Sequence, residues 1–114
     1  MSNLQVNTKA VDITSLELAA AGKTGRRVMR EDIEALVAQL TFITVVPENT
    51  TTTFVHAYLG KFYLGHGFSA CVVPENYIAA TGARIAKDDC LATVTKKLWE
   101  LEGYALYKEL NHVG

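Results

Sequence analysis

A chain of 114 residues has room for one domain, and 11 basic against 12 acidic residues, a formal net charge of −1, exclude any global electrostatic pull toward duplex nucleic acid or a charged membrane. Apolar residue types make up 49% of the chain and charged types 20%, more apolar surface than a monomer of this size covers, so a homo-oligomer, dimer or higher, is expected. Cys71 and Cys90, the two cysteines, fall in different elements without Cys-x-x-Cys spacing, which argues against a disulfide framework or a zinc knuckle. No window approaches the roughly 20 apolar residues of a membrane span, and the N-terminus lacks a signal-like pattern, so a soluble cytoplasmic chain is expected.

Residues 1–27 read as an N-terminal arm or linker ahead of a single domain over 28–114. Within the arm, 1–14 are polar and aperiodic, 15–21 (SLELAAA) fit two helical turns ended by Gly22, and 22–27 (GKTGRR) fit a flexible basic linker. Gly22-Lys23-Thr24 is not a phosphate-binding loop, because Glu17 stands where that motif needs its first glycine and no strand precedes it. Residues 31–40 (EDIEALVAQL) then predict a short helix, with acids in its first turn and Ile33, Leu36, Val37 and Leu40 on one side.

The β-branched run 41–46 (TFITVV) predicts a strand ended by the turn Pro47-Glu48-Asn49. Segments 50–59 and 62–71 predict a tight hairpin across Gly60-Lys61, with the glycine at positive φ. An uninterrupted ladder from that turn pairs Leu59 with Phe62, Tyr58 with Tyr63 and His56 with Gly65. His66 then stands opposite Val55 on the other face, so the two histidines do not share a metal and no metal site is expected. Gly65 and Gly67 mark a bulge or a close approach by another backbone or a ligand.

Residues 74–104 predict one long amphipathic helix with Pro74, Glu75 and Asn76 at its start. Ile78, Gly82, Ala86, Cys90, Val94, Leu98, Leu101 and Ala105 fall on one face, while Arg84, Lys87, Asp88, Thr95 and Lys96 fall mostly on the other. Gly103 is placed to kink or end this helix, leaving a short terminal one. The fold class is therefore α+β: a small antiparallel sheet, a hairpin plus one strand, packed on a long C-terminal helix with a short helix before it. Dimers are expected through the long helix, with Leu98, Trp99 and Leu101 at the interface.

Enzymatic chemistry is not expected, and no cofactor is implied. Cys71 with His66 lacks a third orienting group, and adjacent Asp88 and Asp89 point about 100° apart on a helix. The hairpin-to-helix junction instead offers the parts of a nucleotide site. Phe68, Ser69, Asn76 and Tyr77 could hold a base and fix its orientation, while Arg84, Lys96 and Lys97 could reach phosphates. Each has an ordinary alternative, as core, helix cap or solvated face. A protein-interaction module working through the helix or the sheet edge is the second reading.

Several motifs in order, REDIEAL, a Thr-rich strand, a tight hairpin, Gly67, Ser69-Ala70-Cys71-Val72, Pro74 and Asn76, then KLWELEGY at 97–104, resemble the Gp-forty-nine-like family of small tailed-phage proteins. The likeness covers roughly 28–107. That family commonly has Asn-Gly in the hairpin, Glu before Ser-Ala-Cys and Asp before the proline, where this chain has Gly60-Lys61, Phe68 and Val73. The resemblance implies a phage or prophage accessory protein, in the cytoplasm of an infected bacterium, without enzymatic activity. The architecture is also similar to the anti-Thoeris sponges that sequester cyclic ADP-ribose isomers, although no binding motif aligns residue by residue. That analogy implies a small cyclic-nucleotide ligand.

Overall fold

The computed structural model of the chain describes residues 25–111, together with Glu17 and Gly22. The helix expected over 15–21 lies, apart from Glu17, outside the described residues. In chain order the elements are α1 (Arg30–Val37), β1 (Leu40–Val45), β2 (Thr52–Leu59), β3 (Phe62–Ala70), a 3₁₀ turn (Pro74–Asn76) and α2 (Ala79–Asn111). This is the expected α+β architecture, with one antiparallel sheet in the order β1-β2-β3.

Local chemistry places the breaks. The Met29 N–H donates to Asp32 Oδ2 at 3.2 Å, a carboxylate satisfying an amide at the start of α1, where negative charge is favoured. Asn49 takes φ 65 in the turn after β1, and Gly60 takes φ 62 in the two-residue hairpin, as its lack of a Cβ allows.

The sheet has one covered face and one open face. Thr53, Val55 and Ala57 of β2 and Leu64 and Gly67 of β3 are buried on the inner face, against Ala86, Cys90, Val94 and Leu98 of α2. Ile33 of α1 closes the same core, with Phe42, Leu59 and Trp99 packed at its margin. Gly67 decides how closely the layers meet. A Cβ built there would lie 2.2 Å from Cys90 N and 2.6 Å from Ala86 O, so the helix backbone rests directly on the strand backbone.

The uninterrupted hairpin ladder is corrected. Tyr58 faces Tyr63 as expected, but Ala57 faces Gly65, so Leu64 is an extra residue and His56 faces His66 rather than Gly65. Without this bulge, His66 and Phe68 would point at the helix, where only Gly67 fits. The bulge turns both outward and brings Gly67 to the inner face, while Leu64 stays in the core. The two histidines therefore share a face, and the reason for denying them a common metal falls.

The long helix also differs in extent from the expected one. The Tyr77 N–H donates to Pro74 O at 3.1 Å, and Tyr77 then turns extended with ψ 126, so a 3₁₀ turn precedes the α-helix proper. Ile78, expected on the packed face, is 63% exposed. Gly103 neither kinks nor ends α2, which runs unbroken to Asn111. Its 33 residues rise about 50 Å, against about 30 Å for a nine-residue strand, so the last turns overhang the sheet. Leu101 and Ala105 lie on that overhang and are exposed, not buried.

Two glycine substitutions should then have opposite signs. Gly67→Ala forces a Cβ into helix backbone and is expected to destabilise by ~3 kcal/mol or more. Gly103→Ala meets nothing within 4 Å among the described residues and should stabilise by ~0.5–1 kcal/mol. Urea unfolding of both variants checks this, and equal midpoints would contradict the packing described.

Candidate functional site

A cleft of about 210 Å³ opens where β3 hands over to α2. Ser69, Ala70 and Cys71 form one wall with Thr51, Asn76 and Tyr77 form the turn, and Ile78, Thr81, Gly82 and Ile85 supply the helix side. The missing side chain of Gly82 lets the walls meet: a Cβ there would sit 3.0 Å from Thr53 Oγ1, 3.4 Å from Ser69 Oγ and 3.6 Å from Tyr77 Cε1. The Ser69 hydroxyl donates to Gly82 O at 2.8 Å, tying strand to helix. The buried Thr53 hydroxyl beside it has no hydrogen-bond partner among the described residues.

Of the seven residues expected to bind a nucleotide, the fold gathers three, Ser69, Asn76 and Tyr77, at this cleft. Phe68 is turned to the open sheet face, 52% exposed, with its ring 6.0 Å from Phe54. Its N–H, on the free edge of β3, donates to Asp89 Oδ2 at 3.0 Å. Arg84 pairs with Asp88 at 3.7 Å on the solvent side, a weak exposed ion pair. Lys96 and Lys97 are exposed on α2, about 21 Å along the axis from Gly82 at 1.5 Å per residue. One subunit therefore does not bring its predicted cations to its predicted base site.

The three expected interface residues also separate. Leu98 is buried in the subunit's own core, Trp99 is half-buried beside Ile33 and Val37, and Leu101 is exposed on the overhang. Leu101 is thus the one of the three with substantial surface to offer a second copy.

The sequence reading did not find the open face as a unit. Ile43 and Val45 of β1, Phe54, His56 and Tyr58 of β2, and Tyr63, His66 and Phe68 of β3 lie together there. No Asp, Glu, Lys or Arg occurs in any of the three strands. The signal for it was Gly67, whose inward position forces its neighbours His66 and Phe68 outward. Among the described residues, no group of three or more His, Cys, Asp or Glu side chains converges.

The two thiols differ sharply. Cys90 is fully buried, and burial pushes its thiol up from the ordinary value, with Asp89 adding to the shift and the Gly67 backbone opposing it. Cys71 is half-buried at the cleft wall, its S–H directed to Val73 O at 3.1 Å.

The phage protein (N4 Gp49/phage Sf6 gene 66) family matches residues 28–110. The chain belongs to that family. No curated protein and no solved structure matches it, and the likeness to the anti-Thoeris sponges is not supported. No helix among the described residues of this phage-family protein is long and apolar enough to cross a membrane.

A thiol reagent at neutral pH is expected to label Cys71 first and Cys90 only through global opening. Mass spectrometry of labelled peptides across a urea series checks the order, and early modification of Cys90 would contradict the burial described.

Proposed function

We propose that this phage-family protein is a non-enzymatic binding protein that captures and sequesters a small cyclic nucleotide, a cyclic ADP-ribose isomer or a cyclic oligonucleotide, and so acts against a host defence signal in the infected cytoplasm. The observation that carries this reading is the junction cleft, where Ser69, Asn76 and Tyr77 converge. Tyr77 offers a ring for a base, and Asn76 offers both donor and acceptor to orient it.

At about 210 Å³ the cleft falls below the roughly 300–1,000 Å³ usual for small-molecule sites. Its surroundings expose Val72, Ile78 and Ile85. A second copy covering that rim would enlarge the site and could bring the exposed Arg84, Lys96 or Lys97 to the phosphates, which accords with the homo-oligomer expected from composition. Sequestration needs tight binding and slow release rather than a reacting group.

The open sheet face favours a second reading, a module that blocks a host or phage protein. Its uncharged mixture of aromatic and β-branched side chains resembles the core composition of protein interfaces.

Native mass spectrometry of the protein mixed with cyclic ADP-ribose isomers and cyclic di- and trinucleotides separates the readings. An adduct released unchanged by heat is expected, and Asn76→Ala should weaken it at least tenfold, about 1.4 kcal/mol, while the melting temperature stays put. An adduct returned chemically altered would replace sequestration by catalysis. No adduct at micromolar ligand would leave the sheet-face reading in possession.

A further inference from the structure

On the open face of the sheet, the bulge brings two histidines and a tyrosine to one point. His56 and His66 are opposed across β2 and β3, with ring centroids 5.8 Å apart. Tyr63 Oη lies 2.9 Å from His56 Nδ1 and 3.4 Å from His66 Nδ1. A phenol has one proton to donate, so it donates to one imidazole and accepts from the other, which aims both Nδ1 atoms at the same oxygen. Phe54 packs beside both rings, at 6.3 Å from His56 and 6.2 Å from His66, and restricts their rotation. The strands carry no charged residue to repel a cation or to compete for the imidazoles.

We propose that His56, His66 and Tyr63 form a binding site for a late first-row divalent cation, Cu(II) or Zn(II), held by two imidazole nitrogens and the phenol oxygen, with its remaining positions open to solvent. The spacing fits. Ligand atoms each about 2.0–2.1 Å from a metal stand roughly 2.9 Å apart at a right angle and roughly 3.4 Å apart at a tetrahedral angle. Imidazole donors select copper or zinc over magnesium and calcium, and Cu(II) binds the same site more tightly than Zn(II).

The test is titration of the full chain with Cu(II), followed by electron paramagnetic resonance and visible absorbance, and with Zn(II), followed by calorimetry. One equivalent is expected, with hyperfine structure from two nitrogens and a phenolate-to-copper band that Tyr63→Phe abolishes. His56→Asn and His66→Asn should each weaken both ions at least tenfold. Circular dichroism establishes that the variants fold. Should a histidine variant fail to, the charge-transfer band lost in Tyr63→Phe decides. The double histidine variant keeps His112, so undiminished Cu(II) binding by it overturns the proposal. Failure of the parent to take up either ion at micromolar concentration does the same.

Discussion

The contact on which the rest of this fold depends is the meeting of two backbones, Gly67 of β3 against α2 at Ala86 and Cys90. At that distance no side chain separates the layers, so helix and sheet behave as one packed body rather than two surfaces with a cushion between them. Small residues maintain the approach on either side of it. Ala57 and Ala86 are fully buried, and Gly82 admits Thr53 and Ser69 from the sheet. Polar bonds then fix the register of the layers, Ser69 to the Gly82 carbonyl and the Phe68 amide to the Asp89 carboxylate. The second bond also covers an amide on a strand edge that would otherwise invite pairing with another chain.

This constraint sorts the sheet into unlike faces. Because only glycine fits under the helix, the bulge at Leu64 is needed to put it there, and the same shift sends His66 and Phe68 to the solvent side. The outer face thus acquires its aromatic and histidine character as a consequence of inner packing. At the end of the sheet the helix begins late, after a 3₁₀ turn, and the gap between that turn and β3 is the junction cleft. At the other end the helix outruns the sheet, exposing Leu101, Tyr104, Tyr107 and Leu110. The apolar excess noted in the composition lies in these places.

Membership of the phage family rests on a match over 28–110, which spans both candidate binding surfaces. Those surfaces are chemically distinct. The cleft sets hydroxyls, an amide and a tyrosine ring among the apolar side chains of Ala70, Ile78 and Ile85. The open face is broad and uncharged. The residues lining the cleft and those clustered on the open face are different ones. Cys71 lies in the cleft wall, its S–H on Val73 O, and Asp89 holds the Phe68 amide at the edge of β3.

The sequence by itself determined the element types, their order and the hairpin turn, because helical and alternating periodicities, Gly60-Lys61 and Pro74 are local signals read within a few residues. It also grouped Ser69, Asn76 and Tyr77, which are close in the chain and stay close in space. The tertiary structure alone decided the rest. Whether the ladder slips at Leu64 depends on what faces Gly67 across the layer, and that is helix backbone some twenty residues away. Whether Arg84, Lys96 and Lys97 reach Phe68 depends on the rise of a rigid helix and on the side of the sheet a ring takes. Gly103 stays helical because, with no described residue within 4 Å of where a Cβ would stand, the backbone bonds of neighbouring turns outweigh its weak propensity.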